Sequence, residues 1–183
     1  SHGISRLRTY SSRVRSGVVY PEVTVKRIGG ADALIAVDGQ NGIGASIGIQ
    51  TMDLCIDGAK KHGCCFAAVM NGNHFGIGAY FTQHAAKQNM IGIAMSNSEA
   101  AVVPTGGAKP MLGTNPLSVA IPTSRYSPIV LDMATSTVAR GKVYLAAKEG
   151  KDIPNSWCVD KNGVPTTDPH EALDVAMLPF GGA

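Results

Sequence analysis

Apolar residues recur every three or four positions in several segments of the chain, as they do along one side of an amphipathic helix. This spacing predicts a helix over residues 4–16 and a longer helix over residues 45–62 that stops at Gly63. Two further helices are predicted over residues 79–88 and 140–149. The chain is therefore expected to be rich in helices separated by shorter elements.

Short apolar runs bounded by glycine or polar residues predict β-strands between these helices. Two of them, residues 23–28 and 33–37, lie on either side of Gly29-Gly30, which we expect to form the turn between them. The strand predicted at residues 64–70 is followed by a helix and then by a strand at residues 90–95, an order typical of an α/β layer. Later signals are strands at residues 117–121 and 129–131 and a hairpin turn at Asn162-Gly163.

Composition limits the kind of protein this can be. The 183 residues are 44% hydrophobic and 16% charged, enough to bury a core of ordinary size. The formal charge of +3 is not concentrated into a basic stripe with interleaved aromatics, so nucleic acid is not an expected partner. No apolar stretch is long enough to cross a bilayer, so a membrane is not an expected partner either.

The four cysteines show no Cys-x-x-Cys pair, which disfavours both a zinc site and a disulfide framework. We expect them to be buried, reduced thiols, as in a cytoplasmic protein. They are Cys55, Cys64, Cys65 and Cys158.

The first candidate for chemistry is His74, in the run Gly72-Asn73-His74-Phe75-Gly76 between a predicted strand and a predicted helix. An imidazole in such a loop titrates near neutral pH and can reach a substrate, while the amides that open the next helix can face an anion. The same histidine could instead be a turn or capping residue, and the motif alone favours that simpler role.

A glycine cluster before the helix at residues 45–62 imitates a dinucleotide-binding fingerprint. Its spacing from Gly42 is Gly-x-Gly-x-x-x-Gly, and the next predicted strand does not end in an acidic residue that would hold a ribose. We therefore assign Gly39, Gly42, Gly44 and Gly48 to a turn and to helix packing.

A second candidate pair is His2 and Arg6, which are four residues apart and share one face of a helix that begins near His2. A guanidinium can bind a carboxylate through two hydrogen bonds, and a nearby imidazole can exchange a proton with an adjacent hydroxyl or carbonyl. The simpler alternative is that His2 is a vector residue and Arg6 a solvated charge.

Two polar loops are a third candidate. Gly113-Thr114-Asn115-Pro116 offers a hydroxyl, an amide and backbone donors, and Asp132 could accept hydrogen bonds from a ribose. Both loops are equally explained as turns or caps, because Gly, Asn, Asp and Pro supply turn geometry for local reasons.

Taken in order, these segments resemble the malate/L-lactate dehydrogenase family, the non-Rossmann group that includes ureidoglycolate dehydrogenase and diketogulonate reductase. The resemblance runs from end to end of the chain and is specific, because eight motifs match in sequence. They are Ser1-His2-Gly3-x-x-Arg6-Leu7, Asn73-His74-Phe75-Gly76, Ser96-Asn97-Ser98, Gly113-Thr114-Asn115-Pro116, Leu131-Asp132-Met133-Ala134-Thr135, Ala139-Arg140-Gly141-Lys142, Pro165-Thr166-Thr167-Asp168-Pro169 and Leu178-Pro179-x-Gly181-Gly182.

The resemblance implies an α/β fold with a mixed-sheet, non-Rossmann cofactor-binding domain and part of a second, helical domain. Residues 1–30 would belong to the substrate and dimerisation domain, and residues 31–183 to the NAD(P)-binding domain. Chains of this family normally begin before the Ser-His-Gly motif and continue past Gly-Gly-x with a lysine-glycine pair. We therefore expect this chain to be a fragment that lacks part of the cofactor site.

The resemblance also implies a hydride transfer between NAD or NADP and a small 2-hydroxy or 2-oxo acid, such as malate, lactate or ureidoglycolate, in a cytoplasmic homodimer. His2 and His74 are joint candidates for the acid/base. Arg6 and Ser98 match substrate-binding positions. The positions expected to bind the cofactor are Thr114, Asn115, Asp132, Met133 and Ala134.

Two other hypotheses are alternatives to an active dehydrogenase. One is a truncated, non-catalytic module of the same fold that binds cofactor or takes part in assembly. The other is a metal-dependent hydrolase, which is disfavoured because His2 and His74 lack the spacing of metal ligands.

Overall fold

A computed structural model of the chain describes residues 6–174 and 176–181. Helices and strands alternate through most of this part of the chain. The helices are α1 (Leu7–Arg15), α2 (Gly44–His62), α3 (Gly78–Ala86), α4 (Arg140–Glu149) and α5 (Pro169–Asp174). None of these described helices is long and apolar enough to cross a membrane.

The described strands form three small sheets, with the orders β1-β2-β3, β4-β5-β6 and β8-β7-β9. In the first sheet β1 runs antiparallel to β2, and β2 runs parallel to β3, so the mixed sheet expected from the resemblance is confirmed. The strands are β1 (Lys26–Ala31), β2 (Leu34–Asp38), β3 (Phe66–Met70), β4 (Gly92–Met95), β5 (Leu117–Ile121), β6 (Ile129–Met133), β7 (Cys158–Val159), β8 (Pro165–Thr166) and β9 (Ala176–Met177).

The turn predicted at Gly29-Gly30 is wrong, because both glycines lie inside β1. Gly30 has φ +96°, and a Cβ there would collide with the carbonyl oxygen of Leu34 on β2. The glycine is therefore needed for a close approach between two strands, and the chain reverses after Ala31 instead.

The predicted helices at residues 45–62 and 140–149 are confirmed as α2 and α4. α2 ends where expected, since Gly63 adopts the left-handed conformation with φ +83° and donates its N–H to the carbonyl of Ala59. The hairpin predicted at Asn162-Gly163 is also confirmed, because β7 pairs antiparallel with β8 across this turn.

β2, α2 and β3 form a parallel βαβ unit. On one face of its sheet Ile35 and Val37 are buried, and α2 buries Ile47 and Ile56. Side chains alternate across a strand, so the other face carries Leu34 and its cross-strand partner Phe66, followed by Met70. These three side chains are 58%, 63% and 53% exposed, so that face of the sheet is apolar and uncovered.

Glycines in α2 allow two close contacts. A Cβ at Gly48 would lie 2.6 Å from the ring of Phe81 on α3, and a Cβ at Gly44 would collide with the carbonyl oxygens of Asn73 and His74. The assignment of these glycines to packing is therefore confirmed, and Gly44 is what allows the start of α2 to close against the His74 loop.

The chain divides into two compact units. The first comprises Ser1–Ala94 and Ser118–Leu131, and the second comprises Met95–Leu117 and Asp132–Ala183. In the first, the buried hydroxyls of Thr82 and Ser118 are 3.0 Å apart and satisfy each other. The second has an apolar core that contains Val102, Val143, Ile153, Cys158 and Met177.

The cysteines are free thiols, but the expectation that all four are buried is wrong. Cys158 is buried in the core of the second unit, Cys55 and Cys65 are half-buried, and Cys64 is exposed. Cys64 precedes β3, and β3 itself is largely exposed, so the apolar run at residues 64–70 does not bury this thiol.

Candidate functional site

The first group of candidate residues lies where β2 and β3 end. Because these strands are parallel, the loops that follow them leave the sheet at the same edge. Two backbone hydrogen bonds join the loops: Gly39 donates its N–H to the carbonyl of Met70 and Asn41 donates to the carbonyl of Asn71, both at 2.9 Å. The loop that carries His74 is therefore attached, where it leaves β3, to the loop that follows β2.

The carboxylate of Asp38 stabilises this junction. Its Oδ1 accepts the N–H of Gln40 at 2.8 Å and the side-chain amide of Asn71 at 2.9 Å. These hydrogen bonds, that of Asn71 first, lower the pKa of the Asp38 carboxyl below 3.8. Gln40, Asn41 and Asn71 all have positive φ, of 50°, 56° and 52°. Left-handed backbone is costly for non-glycine residues, so the surrounding hydrogen bonds must compensate for it.

The His74 loop is anchored again on both sides of the histidine. Asn73 donates its side-chain amide to the carbonyl of Gly42 at 3.0 Å. Phe75 stacks on Phe81 of α3 with ring centroids 5.3 Å apart. His74 itself is exposed, so a well-held backbone presents an imidazole at the surface of the unit. This is the arrangement expected of a working histidine on a rigid loop.

A side chain from α1 reaches the imidazole. The hydroxyl of Tyr10 lies 2.6 Å from Nδ1 of His74, and the two ring centroids are 5.9 Å apart. Arg6 immediately precedes α1 and is exposed, four residues before Tyr10 and so about one turn away on the same side of the helix. The candidate acid/base and the candidate carboxylate-binding residue thus belong to the same region. His2, the other acid/base candidate, lies outside the described residues.

Sequence reasoning missed Tyr10. The available signal was the spacing of His2, Arg6 and Tyr10, which repeat every four residues. That series places all three on one face of a continuous helix. The spacing does not say what the face contacts, because the partner is 64 residues further along the chain.

The second group lies in the other compact unit, where two loops are joined by side-chain hydrogen bonds. Ser98 Oγ accepts the N–H of Thr114 at 2.9 Å and lies 3.2 Å from the Thr114 hydroxyl. The N–H of Ser98 in turn donates to Oδ1 of Asn115 at 3.1 Å. The structure therefore brings together three of the predicted residues, Ser98, Thr114 and Asn115.

Gly113 and Thr135 complete this group. A Cβ on Gly113 would lie 2.5 Å from the carbonyl oxygen and 2.6 Å from Oγ of Ser98, so the two loops approach too closely for any other residue. Thr135 donates its N–H to the carbonyl of Thr114 at 2.8 Å, and its hydroxyl lies 3.2 Å from the carbonyl oxygens of both Thr114 and Asn115.

The remaining residues predicted to bind the cofactor lie directly before Thr135 in the chain. Asp132 and Met133 are the last residues of β6, and Ala134 connects them to Thr135. Asp132 is exposed, whereas Met133 and Ala134 are half-buried. The segment Asp132–Thr135 therefore begins with an exposed carboxylate and ends with a backbone that is hydrogen-bonded to the Ser98–Thr114–Asn115 group.

Hydroxyl and amide groups held on fixed loops suit the ribose hydroxyls and phosphates of a dinucleotide, and a carboxylate suits a ribose hydroxyl. Such ligands are bound through many polar contacts and backbone groups. The residues present therefore fit NAD or NADP. The described residues contain no group of three or more His, Cys, Asp or Glu side chains able to hold a metal ion.

Comparison with known proteins gives consistent matches over the whole chain. A profile of the family described as "Malate/L-lactate dehydrogenase" matches residues 1–183. The malate/(S)-sulfolactate dehydrogenase of Methanothermus fervidus is 41% identical over 182 residues, which is 100% of this chain and 53% of that protein. The (2R)-3-sulfolactate dehydrogenase (NADP(+)) of Chromohalobacter salexigens is 37% identical, over 100% of this chain and 55% of that protein.

Solved structures give the same result. The crystal structure of malate dehydrogenase from Entamoeba histolytica superposes with a TM-score of 0.94 at 36% identity, covering 99% of this chain and 52% of that one. The chain thus spans about half the length of the relatives it matches.

Proposed function

Because the chain belongs to the malate/L-lactate dehydrogenase family, we propose that its polypeptide is an NAD(P)-dependent oxidoreductase that interconverts a small 2-hydroxy acid and the corresponding 2-oxo acid. The observation that carries the proposal is the hydrogen-bonded Tyr10–His74 pair. The imidazole of this pair lies on an anchored loop, and the phenol lies on α1, the helix that Arg6 precedes. Proton exchange and carboxylate binding are the two tasks that this substrate class requires.

Arg6 would bind the substrate carboxylate through two parallel hydrogen bonds, which fixes both the position and the orientation of the acid. His74 would give a proton to the oxygen at C2 during reduction and take it back during oxidation. His2 remains a joint candidate for this role. When bound, the nicotinamide cofactor supplies or accepts the hydride at C2.

The Ser98–Thr114–Asn115 group and the Asp132–Ala134 segment would hold the cofactor and, through Ser98, contact the substrate. Ser98, Thr114 and Asn115 are supported in this role by their mutual hydrogen bonds, because such bonds keep polar groups from rearranging when a ligand binds. The exposed Asp132 carboxylate would accept hydrogen bonds from a ribose.

The proposed substrate class is that of the relatives, which are malate and sulfolactate dehydrogenases. We propose a small 2-hydroxy acid such as malate, lactate or sulfolactate, with ureidoglycolate as another member of the class. A cytoplasmic homodimer, and a division into residues 1–30 and residues 31–183, remain parts of the same proposal.

Fluorescence titration with NADH and NADPH, followed by turnover assays with a panel of 2-oxo acids, tests this function. We expect micromolar to millimolar cofactor binding and turnover of at least one acid. Cofactor binding without turnover of any acid would favour the second candidate, a non-catalytic module of the same fold. Absence of both would overturn the proposed function.

A further inference from the structure

The hydrogen bond between Tyr10 and His74 points to a function for a residue outside the sequence motifs described above. The hydroxyl of Tyr10 is 2.6 Å from Nδ1 of His74, which is short for a hydrogen bond between neutral groups. Tyr10 is half-buried, whereas His74 is exposed. The bond therefore joins a half-buried phenol on α1 to an exposed imidazole on an anchored loop.

A histidine that exchanges protons needs its other ring nitrogen held by a partner, because that partner determines the tautomer and the direction of the ring. Nδ1 of His74 is paired with Tyr10. A phenol is suited to this task over a reaction cycle, since its oxygen can accept a hydrogen bond from either a neutral or a charged imidazole ring.

We propose that Tyr10 is a positioning residue for His74: its oxygen accepts a hydrogen bond from Nδ1–H in both protonation states, so that the proton passes to and from substrate at Nε2. The inference rests on the proposed function for its catalytic meaning. During reduction the imidazolium loses its proton from Nε2 to the substrate oxygen and becomes the neutral Nδ1–H tautomer. During oxidation Nε2 takes the proton back, and the bond to Tyr10 is unchanged.

This role predicts the tautomer of the His74 imidazole, which can be measured without any substrate. Neutral His74 should be mainly the Nδ1–H tautomer in the wild type, and a mixture of both tautomers in Tyr10→Phe. Nitrogen-15 NMR of histidine-labelled protein separates the two tautomers, and the His74→Gln variant identifies the His74 signals among those of the five histidines. Tyr126→Phe is the matched control, because that ring is 84% exposed and lies in a loop between β5 and β6.

Kinetics then test the role in the reaction. Tyr10→Phe should lower kcat about tenfold, a part of the 10²–10⁴-fold that general acid–base catalysis supplies, and should leave KM for the acid and the affinity for NADH nearly unchanged. In a His74→Ala background the same change should have no further effect on kcat, because the residue acts only through the histidine.

The possible outcomes separate the two proposals. An unchanged tautomer in Tyr10→Phe, or an Nε2–H tautomer in the wild type, overturns the positioning role whether or not the protein turns over a substrate. Additive losses of kcat in the double variant also overturn it. Absence of both cofactor binding and turnover in the wild type overturns the proposed function and leaves the NMR result as the measure of the Tyr10–His74 bond.

Discussion

Replacing Gly113 with alanine should separate the two loops of the second candidate group. The added Cβ would collide with Oδ1 of Asn115 and would lie 2.5 Å from the carbonyl oxygen and 2.6 Å from Oγ of Ser98. Real Cβ atoms do not approach other heavy atoms this closely, and one of the three obstacles is backbone. The loop around Ser98 must therefore move away from the loop around Thr114.

The expected cost can be estimated from the contacts that this movement breaks. Two hydrogen bonds are lost, from the N–H of Thr114 to Ser98 Oγ and from the N–H of Ser98 to Asn115 Oδ1. Each contributes roughly 0.5–1.5 kcal/mol, and residual strain from overpacking adds roughly 1–3 kcal/mol. We expect a loss of about 2–6 kcal/mol in the free energy of unfolding, the sum of these contributions.

Urea unfolding followed by circular dichroism measures that loss, and fluorescence titration with NADH measures its effect on the proposed cofactor site. Gly141→Ala is the matched control: it lies in α4 of the same unit, and no atom lies within 4 Å of its added Cβ. In a helix this change should stabilise by roughly 0.5–1 kcal/mol. The reasoning is refuted if Gly113→Ala is as stable as Gly141→Ala and binds NADH as the wild type does.

Three further changes test other parts of the structure. His74→Ala should lower kcat by roughly 10²–10⁴-fold with little change in the dissociation constant for NADH, and equal losses in both would contradict a proton-transfer role. Asp38→Asn should destabilise the protein at pH 7. Hydrogen bonds hold the pKa of Asp38 below 3.8, so the carboxylate contributes stability that is present above that value and is lost as pH falls through the lower folded pKa. Urea midpoints of the two proteins should therefore converge towards pH 2, and a constant difference would refute this. Iodoacetamide at pH 8 should modify the exposed Cys64 first, because burial raises the pKa of Cys55 to about 12, with a contribution from the neighbouring Cys65, and that of Cys158 to about 11. Mass spectrometry should show both slow reactions accelerating about tenfold per pH unit, and faster labelling of Cys55 than of Cys64 would contradict the assignment.

Local signals in the sequence were sufficient for most secondary structure. α2 has apolar residues at helical spacing and a glycine stop, and its predicted range of residues 45–62 differs from Gly44–His62 by one residue. Gly29-Gly30 shows where local signals fail: glycine serves turns and close strand approaches equally well, and only the pairing of β1 with β2 decides between them. Tertiary contact, rather than local preference, determines that outcome.

The candidate site was predictable as a set of residues but not as an arrangement. Local motifs supplied His74 and Arg6, and the resemblance added Ser98. The bonds of Ser98 to Thr114 and Asn115 and of His74 to Tyr10 depend on contacts between segments far apart in sequence. Asp38 was also missed, because the sequence around a carboxylate at the end of a strand does not indicate which hydrogen bonds it will accept.

The position of α1 matters for the proposed site, because α1 carries Tyr10 and follows Arg6. α1 buries none of its residues, and Leu7 is 63% exposed, so apolar packing contributes little to holding the helix in place. The bond from Tyr10 to His74 is worth only about 1 kcal/mol net. A substrate carboxylate bound by Arg6 and a C2 oxygen facing His74 would connect α1 to the His74 loop a second time. A substrate bound by both residues should therefore add to the attachment of α1 that the Tyr10–His74 bond provides. On this argument the Tyr10–His74 bond selects, before substrate arrives, the position of α1 in which Arg6 can act.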